Sequence, residues 1–295
     1  MTPRFGRVIT AMITPFNEDG SLDIKGASDL AQWLAHQGND ALVLAGTTGE
    51  SPTITQDEQI RLVEAVVEAV EIPIIAGAGS NDTKSAVTNT QRCEQAGAKG
   101  ILSVTPYYNR PSQAGMHEHY LRISESTELP IMLYDIPIRT GRKLESETIL
   151  QLAHQTENIV AVKDAAGDVE ATAQLIKEAP EGFEVYSGED ALTLELLTVG
   201  AVGTVSVASH WTTPETVSLM ESFFSGKIDE AEEINRALIP SYEFESGDLN
   251  PNPIPTKAMM KVLGLPGGDC RLPMGPEPDG LQDKARLILA DLGRH

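Results

Sequence analysis

The stretch "ENIVAVKDAAGD", residues 157–168, places an amine where its neighbours argue against one. Ile159, Val160, Ala161 and Val162 read as a strand buried on both faces, and Lys163 follows at its end. Taking an ammonium ion out of water is costly, so a lysine there needs a reason. Held in a largely apolar mouth, a lysine is poorly solvated in its charged form, and the free amine is available to attack a ketone and form an imine. The structural alternative is that the side chain snorkels to water or pairs with a carboxylate, and Asp164 is the next residue. Adjacent strand residues face opposite sides, however, so Asp164 is poorly placed to neutralise Lys163.

Other strand ends carry groups suited to the same chemistry. Tyr134 closes "IMLYD", and strands lie about 4.8 Å apart, which lets the two side chains meet if both point inward. A tyrosine hydroxyl there can move protons as the carbinolamine forms and loses water, and a threonine hydroxyl can extend the relay. Thr47 and Thr48 close a further strand in "AGTTGES", and Tyr107 and Tyr108 do so in "SVTPYYN". The "GTTGE" turn can also aim backbone N–H groups at a small anion. In "DIPIRTGRK", Arg139, Arg142 and Lys143 form a basic cluster that reads either as a receptor for a carboxylate-bearing substrate or as a solvated loop.

These residues need a scaffold, and the chain supplies a repeated one. Short β-rich runs start at Arg7, Asp40, Ile72, Gly100, Leu129, Asn158, Phe183 and Ala201, most of them about 30 residues apart, the length of a βα unit. Between them lie helix signals. Residues 23–38 put Leu30, Trp33 and Leu34 on one stripe and end at a glycine, while residues 55–70 open with a Thr55-x-x-Glu58 capping box. Repetition of this kind predicts a closed (β/α)8 TIM barrel, with an open doubly wound sheet as the alternative because the last two runs are close together. In a barrel, the ligand site lies at the C-terminal ends of the strands, where Lys163 and Tyr134 are expected. The strand pattern stops near Gly226, and residues 228–238, 256–263 and 281–292 read as helices. The expected division is a barrel over 1–225 and a helical C-terminal extension over 226–295.

Composition narrows the partners. With 22 Lys+Arg against 43 Asp+Glu, the net charge of −21 repels nucleic acid and anionic membrane surfaces. Cys93 and Cys270 lack any paired spacing and are expected as reduced thiols, not a disulfide or zinc site. The N-terminal apolar run is too short and too soon interrupted for a signal peptide, and no apolar run reaches spanning length, so a cytoplasmic protein is expected. "GAGSND" and "SGKID" are incomplete as nucleotide-binding motifs. His117 and His119 are two apart on an expected helix, where side chains diverge, so joint metal ligation is not expected, and the chemistry calls for neither metal nor cofactor. His36, His154 and His210 read as surface or packing residues.

The order of "TAMITPF", "GTTGES", "VTPYYNRPSQAG", "LYDIPIRTG", "AVKDAAGD", "YSGED" and "NPIPTK" resembles the pyruvate-dependent class I aldolases of the dihydrodipicolinate synthase and N-acetylneuraminate lyase group across essentially the whole chain. Within that group it is most similar to the dihydrodipicolinate synthases. The resemblance implies condensation of pyruvate with L-aspartate 4-semialdehyde in the diaminopimelate route to lysine. It matches Lys163 to the Schiff-base lysine, Tyr134 to the proton-shuttling tyrosine, and Thr47 and Tyr108 to its relay partners, the second tyrosine entering a neighbouring subunit's site. Arg139 would hold the semialdehyde carboxylate, Thr48 the pyruvate carboxylate, and Gly188 and Val205 would make mainly backbone contacts. A homotetramer built from dimers is implied. Asp135 stands where many relatives carry asparagine. Ser51, Asn81 and Tyr107, with Pro52, Gln56, Gln59 and Ser85, match an effector cleft that binds lysine in inhibited relatives. Those often have a glutamate at the Ser85 position, so lysine feedback is expected to be weak or absent. A lyase of sugar acids would share Lys163 and Tyr134, and a non-catalytic barrel binding a small carboxylate would share only the scaffold.

Overall fold

The computed structural model describes residues 2–245, 247 and 249–294. Its first half runs β1 (Val8–Ala11), α1 (Ile24–Gln37), β2 (Ala41–Leu44), α2 (Gln56–Ala69), β3 (Ile74–Gly77), α3 (Thr83–Gln95), β4 (Gly100–Val104) and α4 (Gln113–Ser124). The second half of the barrel comprises β5 (Ile131–Asp135), α5 (Pro137–Thr140), α6 (Ser146–Gln155), β6 (Ile159–Asp164), α7 (Val169–Glu178), β7 (Glu184–Ser187), α8 (Thr193–Thr198), β8 (Gly203–Ser206) and α9 (Ser209–Phe224). Three helices follow: α10 (Ile228–Phe244), α11 (Ile254–Val262) and α12 (Leu281–Asp291). All eight expected strands form, every neighbouring pair is parallel, and β8 closes on β1. The open sheet is thereby excluded.

Local chemistry starts and stops these elements where the sequence signals them. The Asp23 side chain accepts the Gly26 N–H at the head of α1, and Gly38 ends the helix with a φ of 108°, a left-handed conformation that costs glycine little. Thr55 and Glu58 form the reciprocal capping box of α2. The expected C-terminal helices are present with shifted ends, α10 extending to Phe244 and α11 beginning at Ile254.

Two apolar layers hold the barrel. Inward side chains such as Ile9, Val43, Ile75, Met132 and Tyr186 fill its interior, with Phe5 against the Tyr186 ring, centroids 6.5 Å apart. Outward residues of the strands, including Leu42, Leu44, Leu133 and Val162, pack with the helices in the larger core. From Ala161 onward β6 alternates strictly: Ala161 in, Val162 out, Lys163 in, Asp164 out. Cross-strand register puts Tyr134 opposite Lys163, and Lys163 opposite Tyr186, in one layer at the C-terminal ends of the strands. His210 is a packing residue: it is fully buried and its Nε2 accepts the Ile13 N–H at 3.0 Å. No helix among the described residues is long and apolar enough to cross a membrane.

Candidate active site

Lys163 is 4 % exposed, and its Nζ lies 4.5 Å from the centroid of the Tyr134 ring. None of the ion pairs found among the described residues involves it. Asp164 is turned away, accepting from the Ala166 N–H at 2.9 Å and from the Thr172 hydroxyl. The amine is therefore buried with no carboxylate within ion-pairing distance among the described residues. Gly188 explains how the lysine stem is accommodated: a Cβ there would stand 2.9 Å from Lys163 Cγ and 3.0 Å from the Asp164 carbonyl oxygen. Val205, 1 % exposed, is part of the same inner cluster as Tyr134.

A cavity of about 290 Å³ opens at this end of the barrel, lined among others by Thr47, Ser51, Tyr107, Arg139, Asn252 and Met274. A smaller one of about 30 Å³ is bordered by Thr47 and Tyr134, so Thr47 opens to both. Thr48 is buried and its hydroxyl oxygen accepts from Asn252 Nδ2 at 2.9 Å. The turn that carries the two threonines is tightly folded, with Glu50 N–H on the Thr47 carbonyl and Ser51 N–H on that of Gly46.

The basic cluster divides by position. Arg139, on the short helix α5, lines the large cavity. Arg142 instead donates to the Pro111 carbonyl at 3.0 Å and ties two loops together, and Lys143 borders a minor crevice beside Asp135. Asp135 faces outward, as the alternation requires, and accepts the Leu144 N–H at 3.0 Å. Burial pushes its carboxyl up to about 7.

Tyr108 does not join the other strand-end groups at this mouth. It is 90 % exposed, sits at a φ of 70°, and does not line the cavity of its own chain, whereas Tyr107 does. A left-handed backbone is unfavourable for a bulky residue, so the loop holds this side chain outward at a conformational cost. Among the positions of the suggested effector cleft, Ser51 and Tyr107 meet at the large cavity. Asn81 and Ser85 line neither cavity; the Ser85 hydroxyl donates to Asp82 at 2.7 Å, and the Asn81 carbonyl accepts from Asn109 at 2.8 Å.

Sequence reasoning missed three groups. Glu189 carries a carboxyl raised first by burial and then by Asp190, with Lys163 and Arg139 opposing. Glu50 and Lys257 form a buried ion pair, Oε1 to Nζ 2.6 Å, each side chain at most 2 % exposed. Asn252 reaches Thr48 from the far end of the chain. A lysine on the otherwise apolar face of Met259 and Met260 was the one visible sign of a buried charge needing a partner.

A profile of the dihydrodipicolinate synthetase family matches residues 4–291. The chain belongs to this family. A 4-hydroxy-tetrahydrodipicolinate synthase of Halalkalibacterium halodurans is 46 % identical over 273 residues, covering 92 % of each chain. That of Bacillus subtilis is 45 % identical over 290 residues, covering 97 % of each. The crystal structure of the family member from Cyanidioschyzon merolae with lysine bound superposes with a TM-score of 0.96 at 41 % identity, over 99 % of both chains. Such coverage extends beyond the barrel to the C-terminal helices, which are thus as much a part of the family fold as the strands.

Proposed function

We propose that this family member condenses pyruvate with L-aspartate 4-semialdehyde, by way of an imine on Lys163, to give 4-hydroxy-tetrahydrodipicolinate in the diaminopimelate route to lysine. The observation that carries the reading is the buried amine of Lys163, without a carboxylate partner among the described residues and set against Tyr134 on the adjoining strand. The amine attacks the ketone carbon of pyruvate, and loss of water from the carbinolamine gives the imine. Loss of a methyl proton gives the enamine, whose carbon attacks the aldehyde carbon of the second substrate. The substrate's own amino group then adds to the imine carbon, closes the ring and releases Lys163.

Tyr134 moves protons at the reacting nitrogen in this reading, and Thr47, which borders both cavities, continues the relay. Thr48 serves the pyruvate carboxylate and Arg139 the carboxylate of the semialdehyde, a charge-assisted contact suited to a guanidinium. Gly188 and Val205 shape the pocket by leaving room and by backbone contacts. The outward, strained Tyr108 supports delivery of its hydroxyl to the site of a second copy, with a dimer as the minimum active unit and a tetramer of two dimers as the assembly.

Borohydride reduction in the presence of pyruvate tests the reading. A stable adduct on the peptide containing Lys163, seen by mass spectrometry, is the expected result. Absence of an adduct would instead indicate a barrel that only binds a carboxylate.

A further inference from the structure

Thr48 and Asn252 are 204 positions apart, yet Asn252 Nδ2 donates to Thr48 Oγ1 at 2.9 Å in a buried contact. The amide is itself oriented: the hydroxyl of Thr256, fully buried in the first turn of α11, donates to Asn252 Oδ1 at 3.2 Å. With its oxygen turned to Thr256, the amide presents its NH2 group to Thr48. A threonine hydroxyl has one proton to give and lone pairs to receive. Once the oxygen receives from Asn252, the proton must point elsewhere, and no hydrogen bond among the described residues takes it.

A second tie holds the same two segments in register. Glu50, two residues after Thr48, pairs with Lys257, one residue after Thr256, and its other carboxylate oxygen accepts the Arg271 N–H at 2.9 Å. Arg271 then donates to the Thr53 carbonyl at 2.7 Å, beyond the turn. The C-terminal extension thereby grips the threonine turn at Thr48 and Glu50, and the segment after it at Thr53.

We propose that Asn252 is a positioning residue for keto-acid recognition: its amide fixes the Thr48 hydroxyl so that the Thr48 proton is donated to the substrate carboxylate, with Thr256 setting the amide. This rests on the reading of Thr48 as the pyruvate carboxylate contact. The extension is then part of the substrate site, not only a cover for the barrel.

A double-mutant cycle on the full-length protein tests it. Asn252→Ala is expected to raise the KM for pyruvate about tenfold with kcat within about twofold, the size expected when a hydrogen bond to a charged group is lost. In a Thr48→Val background the same change is expected to add almost nothing, because the hydroxyl it positions is gone. Thr256→Val, farther along the relay, is expected to raise KM by about threefold in the parent and not in Thr48→Val. An unchanged pyruvate KM, or an equal rise in both backgrounds, would overturn the proposal and mark Asn252 as a direct contact or a packing residue. If Asn252→Ala melts early, Thr256→Val alone decides, since its effect is read as KM against kcat at a fixed melting temperature. Failure of the parent protein to form a pyruvate adduct on Lys163 is a separate outcome, and would overturn the proposed function instead.

Discussion

Tyr134 and Lys163 are register partners on β5 and β6, and the lysine amine lies 4.5 Å from the centroid of the tyrosine ring. Their closeness follows from strand spacing and a shared inward face. Lys163→Ala is expected to abolish both turnover and borohydride trapping. Tyr134→Phe keeps the ring but loses the hydroxyl, so kcat is expected to fall by about 10²–10⁴ while the adduct still forms, more slowly. Equal trapping rates for Tyr134→Phe and the parent would remove Tyr134 from the proton path.

One position further along, the same two strands present Asp135 opposite Asp164 on the outer face. Burial is the main cause that lifts Asp135 to about 7, and Asp164 adds to it, while the Leu144 N–H and Lys143 oppose. An acid whose folded value lies above its ordinary 3.8 binds its proton more tightly when folded. It therefore costs stability progressively as pH rises from about 4 to about 7, and the full cost persists above. Asp135→Asn should melt higher than the parent at pH 8, by at most about 4 kcal/mol of stability, and match it near pH 4. Melting curves at the two pH values decide; a difference independent of pH would rule out this origin.

Lys257 and Glu50 lose far more solvation than a surface pair. Burial pulls the Lys257 ammonium below its ordinary range, and Glu50 is the main group holding it up. Lys257→Met leaves a buried carboxylate uncompensated and is expected to cost about 3–5 kcal/mol in denaturant unfolding. Adding Glu50→Gln should recover much of that loss. If the double variant is no more stable than the single one, the pair is not what the turn depends on.

Gly188→Ala would drive a methyl group against Lys163 Cγ and the Asp164 carbonyl. The backbone oxygen cannot move without disturbing the Gly188 N–H contact of 2.7 Å, so the lysine stem must give way. Steady-state assays should show kcat reduced at least about tenfold, since small displacements of a reacting group are expensive. Parent-like kcat in the folded variant would show that the pocket has more room than this.

The resemblance implies weak lysine feedback, because inhibited relatives often carry a glutamate where this chain has Ser85. The Ser85 hydroxyl is already committed to Asp82, whose carboxylate also caps α3 through the Ser85 N–H. Gln59 is likewise occupied, donating to the Gly77 carbonyl at 2.8 Å. Sub-millimolar lysine is therefore expected to leave the condensation rate unchanged in a coupled assay, and clear inhibition at that level would refute the argument.

The chain's local order already contained the eight strands, the caps of α1 and α2 and the position of Lys163 at a strand end. Strand and helix periods, glycine stops and capping boxes act over a few residues and are written directly in the sequence. Alternation along β6 further determined that Lys163 and Asp164 face opposite ways. Tertiary structure alone decided which distant residues complete the site. Asn252 on Thr48 and Lys257 on Glu50 come together only when the sheet closes and the last helices fold back over it. Tyr108 shows the same limit from the other side: it follows Tyr107 directly, yet Tyr107 lines the cavity while Tyr108 is exposed and does not. Contacts between remote segments depend on how loops close and layers pack, and no short-range pattern encodes that geometry.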